Sequence, residues 1–378
     1  MKALIKIIVT LALFIILFPS ILSIYNNITI RMDDDYVFSY QTPRPFIGGW
    51  SSISAPIIDE NKIYFCAGYN WDNDNVYLIA LDKSGVELWK SAIANSCEYF
   101  SSNHDFLAFQ QTYKAPKENR QDPLSSSFTY KKRVLLASKG DGSFQTIDNA
   151  GFVGLNDKYL YFYRGKDKNL YQLDIKNKTE TLLRIKEAKI LRSDGSKVYI
   201  FTANDLYELQ EETKNLNPII RDKAFSYYSA YKAGNICFMT EDTSKRGYGP
   251  LFCLNTQTRE LTKLGEAHIG LYLEILDGKV YWPDPERRLN AFSFSSKNHN
   301  VYESDYKILH IYDSADNKII ASGAHSAFII DTNTMQITWQ KDFPGWVKGL
   351  IKDGDKLFIT EDNGGLYALK MPKWDVVP

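Results

Sequence analysis

A unit of about forty residues recurs along this 378-residue chain. Each copy begins with a polar turn that leads into a short apolar strand, as in Asp194–Ile200 and Asp353–Ile359. The first apolar strand residue can be aligned in eight copies, at Ile63, Phe106, Tyr159, Val198, Ile236, Val280, Ile319 and Leu357. Short repeats of this kind cannot bury their apolar faces alone, so neighbouring copies must stack against one another.

The second half of the unit also recurs, as a short run of alternating residues such as Leu170–Asp174 or Leu206–Leu209. Alternation between turns rich in Asp, Asn and Gly indicates paired strands, and no 3.6-residue apolar stripe follows the first 25 residues. We therefore predict an all-β fold, a β-propeller of about eight four-stranded blades. Seven blades remain an alternative, because the second unit is weak and the interval after it contains Lys114–Ser127, which we expect to be an inserted surface loop.

The two ends of the repeat array indicate how the ring closes. Tyr36–Gln41 alternates well but belongs to no unit, whereas Lys370–Pro378 follows the last unit and contains two prolines. Proline cannot donate a ladder hydrogen bond, so this tail is a poor outer strand. We expect the N-terminal strand to complete the last blade, which removes an exposed sheet edge.

Two units keep a recognisable motif at the end of their third strand. Asp331, Thr334 and Trp339 mark one of them, and Asp82 and Trp89 mark the other. These units resemble the repeats of the quinoprotein-like (PQQ-type repeat) propellers, which include outer-membrane assembly factors of the BamB type. The chain departs from that family in two ways: it has neither the lipoprotein cysteine near its start nor the adjacent cysteines of the quinone enzymes. The resemblance therefore implies a fold, and it leaves function open because propellers host unrelated activities.

Residues 1–25 differ in character from the rest of the chain. Lys2 and Lys6 precede the apolar run Ile7–Phe18, which is typical of a secretory signal peptide. Extended to Tyr25, the run is long enough for an uncleaved membrane anchor, so both readings stay open. We expect an exported protein, periplasmic or extracellular, that touches a membrane only through this segment if it is uncleaved. The expected organisation is 1–25 signal peptide or anchor, 26–35 linker, 36–372 propeller and 373–378 tail.

Charge and cysteine content narrow the class of partner and the compartment. The chain has 45 basic and 45 acidic residues, so it lacks the basic excess that a nucleic-acid binder needs. Four cysteines are an even number, which suits an oxidising compartment. Cys237 and Cys253 lie on two runs expected to be adjacent strands and are the candidate disulfide pair. The alternative is that all four cysteines are buried thiols.

The connections between blades meet around one mouth of a propeller's central channel, where a ligand or partner is expected to bind. Mapping the repeat onto a ring places seven candidate residues in those connections: Trp50, Glu98, Phe152, Tyr228, His268, His310 and Trp346. Two Trp residues at equivalent points of neighbouring blades suit a sugar or a partner side chain. The alternative is that they plug the channel or pack between blades.

No motif for catalysis or for a cofactor stands out, and the five His residues show no metal-binding spacing. Trp71–Asn75 offers oxygen ligands for calcium but also fits a solvated turn, so we assign no catalytic residue, metal or cofactor. Our first hypothesis is a monomeric, non-catalytic binding or scaffolding propeller that acts outside the cytoplasm on a protein or an envelope polymer. The second is a hydrolase or lyase that acts on a glycan with carboxylates in the channel. A broad aromatic mouth favours the first, and converging carboxylates favour the second.

Overall fold

The computed structural model describes residues 36–41, 51–69, 75–93, 97–116, 128–165, 168–193, 197–241, 247–268, 273–286, 288–302, 308–315, 317–362 and 365–371. Within these ranges the chain forms 33 strands and no helix, and the strands make eight antiparallel sheets. The sheets are the blades of a β-propeller, so the predicted all-β fold is confirmed and the seven-blade alternative is wrong. None of these residues forms a helix long and apolar enough to cross a membrane.

The chain enters the described fold through one strand that precedes the blades, β1 (Tyr36–Gln41). Blade 1 has five strands, β2 (Ser51–Ile53), β3 (Ile57–Asp59), β4 (Lys62–Tyr69), β5 (Asn75–Asp82) and β6 (Glu87–Ala92). Blade 2 has four strands, β7 (Glu98–Ser102), β8 (Phe106–Pro116), β9 (Phe128–Ser138) and β10 (Phe144–Asp148). Blade 3 has β11 (Ala150–Leu155), β12 (Tyr159–Arg164), β13 (Asn169–Asp174) and β14 (Glu180–Lys186). Blade 4 has β15 (Ile190–Ser193), β16 (Val198–Phe201), β17 (Leu206–Gln210) and β18 (Asn215–Ile220).

The second half of the ring repeats this pattern. Blade 5 has β19 (Phe225–Lys232), β20 (Asn235–Thr240), β21 (Tyr248–Asn255) and β22 (Leu261–His268). Blade 6 has β23 (Glu274–Leu276), β24 (Lys279–Pro283), β25 (Leu289–Ser293) and β26 (His299–Tyr302). Blade 7 has β27 (His310–Ala315), β28 (Lys318–Ser322), β29 (Ser326–Asp331) and β30 (Ile337–Asp342). Blade 8 has β31 (Val347–Asp353), β32 (Lys356–Glu361) and β33 (Gly365–Lys370), and it is completed by β1.

The first strands of successive blades contact one another and surround the central channel. In blade 1 this inner position is shared by β2 and β3, which both pair with β4. The chain between them, 54–56, interrupts the ladder at the channel wall.

Ring closure follows the sequence prediction. Strand β1 pairs antiparallel with β33, with Tyr36 opposite Leu369 and Gln41 opposite Gly365. It forms the outermost strand of blade 8, so the first and last segments of the propeller share one sheet. The prediction that the N-terminal strand closes the last blade is confirmed.

The core is divided between the blades rather than gathered in one place. Eight apolar clusters among the described residues each join two neighbouring blades, one cluster for every junction of the ring. Tyr161, Tyr199 and Trp282 are among the largest fully buried side chains in these clusters. Each blade therefore buries both faces by stacking, which is the physical reason that the repeats require a ring.

The recurring acidic or amide residue after the third strand has a local cause. Asp82 Oδ1 accepts hydrogen bonds from the backbone N–H groups of Ser84 and Val86, at 2.8 and 3.0 Å. Asp331 Oδ1 accepts from the backbone N–H groups of Asn333 and Thr334 in the same manner, at 2.9 and 3.0 Å. Such Asx turns tighten the link between the third and fourth strands, so the motif is a turn signal.

All four cysteines form disulfides. Cys237 and Cys253 face each other on the paired strands β20 and β21, with their Cα atoms 4.1 Å apart. The second bridge, Cys66–Cys97, joins blade 1 to the start of blade 2 across a Cα distance of 6.1 Å. Sequence analysis named the first pair as a candidate and did not find the second.

The insertion in blade 2 lengthens strands instead of beginning a loop at Lys114. The ladder of β8 and β9 continues to the pair Pro116–Phe128, while β7 pairs with β8 no further than Gln110. The expected surface loop is therefore wrong for its first three residues, and 117–127 lies outside the described residues. The two strands form a ribbon that extends past the rest of the blade.

Candidate functional site

One face of the ring gathers the connections that join one blade to the next. The inner strands begin on this face, and the turns between second and third strands also reach it, because antiparallel strands reverse direction. The backbone N–H of Trp346, just before β31, accordingly donates to Asp362 Oδ1, just after β32, at 2.9 Å. We call this face the upper mouth.

A cavity of about 780 Å³ lies in the channel below the upper mouth. Residues of blades 1 to 6 and blade 8 contribute to its wall, mostly from the inner strands. Tyr99, Phe100 and Phe152 supply aromatic surface, and Lys189, Arg192 and Lys348 supply positive charge. Among the described residues that line this cavity, none is Asp, Glu or His.

A side pocket of about 250 Å³ is continuous with this cavity, since both are lined by Tyr99, Phe152 and Lys189. Its outer wall includes Lys132, which belongs to the blade 2 ribbon, and Tyr163 of blade 3. The Nζ of Lys132 donates to the Tyr163 hydroxyl at 3.4 Å, which ties the ribbon to the next blade.

The structure brings two of the predicted mouth residues, Glu98 and Phe152, together. Glu98 Oε2 accepts a 2.6 Å hydrogen bond from the side-chain amide of Gln110, and Gln110 Oε1 accepts one of 3.3 Å from the backbone N–H of Phe152. Gln110 is buried and Glu98 is half-buried. These two hydrogen bonds fix the start of blade 3 against blade 2. Glu98 therefore acts here as a hydrogen-bond acceptor that positions the cavity wall.

His310 and Trp346 lie on the other side of the ring, in blades 7 and 8. Burial, together with the positive charge of Lys348, lowers the pKa of His310 to about 4, so its imidazole is neutral at pH 7. Lys348 Nζ also lies 5.4 Å from the centre of the Trp346 ring. Trp346 is 49% exposed, and its ring edge contacts His325 at 6.0 Å between centroids. Lys348 thus links both predicted residues to the cavity wall.

Two further candidates can be assigned to strands. Tyr228 belongs to the inner strand β19, and His268 is the last residue of the outer strand β22. Trp50 lies outside the described residues, as does most of the proposed calcium turn, Trp71–Asn75. In the described part of the chain, no group of three or more His, Cys, Asp or Glu side chains could hold a metal ion.

Sequence analysis missed the cations of the cavity and two of its aromatic residues, Tyr99 and Phe100. Tyr99 is 58% exposed beside Glu98, and it has a positive φ of 55°. Lys189 and Arg192 lie at the start of blade 4, where the repeat pattern places an inter-blade connection. Their position in the repeat could therefore be predicted, but the sequence candidates for the mouth included no Lys or Arg.

Comparison with known proteins gives no match to a protein-family model and none to a curated protein sequence. Solved structures do match. The crystal structure of the computationally designed protein Ika8 aligns with a TM-score of 0.62 at 12% identity, covering 86% of this chain and 98% of that chain. BamB from Moraxella catarrhalis aligns with a TM-score of 0.55 at 10% identity, covering 90% and 100%. The chain thus shares the propeller fold of BamB, which confirms the resemblance at the level of fold.

Proposed function

We propose that this protein is a non-catalytic binding or scaffolding propeller that acts outside the cytoplasm and holds a protein partner or an envelope polymer at its upper mouth. The observation that carries the proposal is the wall of the 780 Å³ cavity, which is apolar, aromatic and cationic. A glycan hydrolase or lyase would instead need carboxylates that converge on its substrate.

Two exposed aromatic side chains supply anchors of the kind that dominate protein interfaces. Tyr99 is 58% exposed and Trp346 is 49% exposed, and they belong to blades 2 and 8 on either side of blade 1. Exposed aromatic residues beside a pocket are typical of binding hot spots. The resemblance to BamB-type assembly factors supports the same role.

The proposed location outside the cytoplasm rests on the disulfides and on the N-terminal sequence. The chain has two disulfides. Disulfides persist in oxidising compartments and are rare in reducing ones. The apolar segment Ile7–Phe18 after two lysines supplies the export signal. Treatment of intact cells with a cell-impermeant reductant and then a cell-impermeant alkylating reagent tests this location. We expect labelled cysteines after reduction and none without it, and absence of labelling after reduction would contradict the proposal.

The binding role is tested with the full chain carrying a photo-crosslinking residue in place of Tyr99 in its producing cells. We expect one recurrent cross-linked partner, recovered several-fold less when Trp346→Ala is added. Leu182→Ala is the matched control, because Leu182 is a similarly exposed apolar residue (46%) on the outer strand β14. Equal recovery of the partner with Trp346→Ala and with Leu182→Ala would contradict binding at the upper mouth. Turnover of a glycan panel without any cross-linked partner would overturn the proposal in favour of an enzyme.

A further inference from the structure

The channel cavity carries an excess of positive charge. Lys189, Arg192 and Lys348 line it, and no Asp or Glu is among the described residues that line it. Glu274 favours the charged form of Arg192. Positive charge within walls of low dielectric attracts anions more strongly than the same charge at an open surface. The cavity is therefore electrostatically suited to an anionic ligand.

Arg192 is held in place by neutral groups. Its Nε and Nη2 donate to the backbone carbonyl of Ser229, at 3.1 and 2.6 Å, and its Nη1 donates to the carbonyl of Leu191 at 3.3 Å. These bonds orient the guanidinium without neutralising it, and burial lowers the pKa of Arg192. A carboxylate placed beside the guanidinium would offset this desolvation.

Lys189 and Ser229 extend the same wall. Lys189 Nζ donates to the backbone carbonyl of Phe225 at 3.0 Å, so a second cation of blade 4 lies against blade 5. The hydroxyl of Ser229 is buried at the cavity wall, and it has no hydrogen-bond partner among the described residues. A buried hydroxyl without a partner is destabilising, and a ligand oxygen in the cavity would accept its hydrogen bond.

We infer that the wall formed by Lys189, Arg192 and Ser229 binds carboxylate groups, and that their source is an acidic segment of the partner protein. This inference rests on the proposed function. Lys348 belongs to blade 8 and Arg192 to blade 4, four positions apart in an eight-blade ring, so these residues lie on opposite sides of the channel. An extended acidic segment contacts both sides, and its apolar side chains contact the apolar wall at Ile57 and Leu273.

Calorimetric titration of the full chain with a peptide of six glutamates tests the inference. We expect binding at about 50 mM salt that weakens strongly at about 300 mM salt, and no binding of a peptide of six lysines. Lys348→Gln should weaken glutamate binding roughly fivefold, the effect of one unit charge at about 4 Å in water. Lys176→Gln is the matched control, because Lys176 is exposed in the turn between β13 and β14, on the face opposite the upper mouth.

Ser229→Ala separates binding from folding. The variant removes a hydroxyl that lacks a partner, so thermal stability should stay equal or rise. Binding of the glutamate peptide should nevertheless weaken about threefold or more, the loss of one hydrogen bond.

Two results would overturn the inference: equal binding by Lys348→Gln and Lys176→Gln, or absence of binding by the unmodified chain. Inorganic phosphate that binds more tightly than the peptide would also overturn it, because the site would then serve a free anion. If the cross-linking experiment recovers a partner while the glutamate peptide does not bind, this inference fails and the proposed function stands. If the peptide binds while no partner is found, the proposed function fails together with the partner as the source of the carboxylates, and only the carboxylate-binding wall stands.

Discussion

Blade 1 is joined to its two neighbours by different means. Its junction with blade 8, the closing junction, has no disulfide, and the ring is completed there by the non-covalent pairing of β1 with β33. Phe38 and Tyr40 of β1 pack into the cluster between these blades, and the Tyr40 hydroxyl donates to Glu87 Oε2 of blade 1 at 2.8 Å. Its junction with blade 2, the disulfide junction, contains the Cys66–Cys97 bridge. A disulfide therefore holds the ring on one side of blade 1, and strand pairing and side-chain packing hold it on the other.

Each junction is also crossed by one ion pair, and the two pairs differ in burial. Lys83 and Asp353 form an ion pair of 2.5 Å across the closing junction, and Lys139 and Asp59 form one of 2.5 Å across the disulfide junction. The first pair is partly exposed and contributes about 0–1 kcal/mol. In the second pair Lys139 is buried, and its Nζ also donates to the backbone carbonyl of Asn103, so the disulfide junction has a buried ion pair in addition to its bridge.

Removing the inter-blade bridge should have the largest effect. The double variant Cys66→Ala and Cys97→Ala loses a cross-link across a sequence separation of 31 residues, which corresponds to about 4 kcal/mol of unfolding free energy. Cys237→Ala with Cys253→Ala removes a bridge of separation 16, within one blade, and should cost about 3 kcal/mol. Denaturant unfolding measures both.

Burial gives an independent control on this comparison. Cys237 and Cys253 are 0% and 3% exposed, whereas Cys97 is half-buried and lines the channel cavity. A mild reductant followed by alkylation should therefore label Cys66 and Cys97 first. If the bridge in blade 5 reacts first, or if its removal costs more, the special role assigned to the disulfide junction is wrong.

The second prediction concerns substitutions in β1 that weaken the closing junction. Phe38→Ala with Tyr40→Ala removes two half-buried aromatic rings and should cost about 3 kcal/mol, about 1.5 for each ring. Val37→Ala is the control on the same strand, because Val37 is 43% exposed and should change stability by no more than about 0.5 kcal/mol. A loss of the same size in the control would mean that β1 acts through its strand propensity and not through its rings.

The closing strand also shows why the fold could be predicted. Tyr36–Gln41 alternates, and the turns after the third strands of blades 1, 3, 5 and 7 carry an Asx signal, so the local sequence specifies strands and turns. Blade number followed from counting these local units. The Cys66–Cys97 bridge could not be found in this way, because it connects blades whose contact depends on how the ring stacks.

The site was less predictable because it depends on which side chains face the channel. The ladder between β19 and β20 shifts register between Phe225 and Ser229, and the ladder between β7 and β8 shifts between Glu98 and Ser101. A shift of one residue exchanges the two faces of a strand. Sequence alternation therefore located the strands, and it could not show that Arg192 meets the carbonyl of Ser229.

The third prediction concerns the other side of blade 8, where His310 of blade 7 lies near Lys348. The pKa of His310 is lowered from about 6.5 to about 4 by burial and by that lysine, so the unfolded chain binds more protons between these values. Stability should fall as the pH drops from about 6.5 to about 4, by about 2 kcal/mol. His310→Gln should lack this part of the slope, while the disulfide variants should keep it. An unchanged slope in His310→Gln would contradict the assignment.

The fourth prediction returns to the closing junction through Gly85, in the turn after β5. Gly85 has a φ of 90°, and a Cβ atom there would lie 2.6 Å from the ring of Phe38. Gly85→Ala should therefore cost about 2 kcal/mol, part from the backbone conformation and part from displacement of β1. Gly278→Ala is the matched control, because Gly278 has a φ of 71° with nothing within 4 Å of its Cβ position, and it should cost about 1 kcal/mol.

A double-mutant cycle isolates the contact between Gly85 and β1. The Phe38→Ala background lacks the aromatic ring that the new Cβ atom would meet. In that background Gly85→Ala should destabilise the protein by about 1 kcal/mol less than in the unmodified chain, and so by the same amount as Gly278→Ala. Coupling would show that the turn of blade 1 was kept small to admit the closing strand. Strict additivity would instead mean that the loss of stability in Gly85→Ala comes entirely from the positive φ. The contact between Gly85 and Phe38 would then contribute nothing to closure of the propeller by β1.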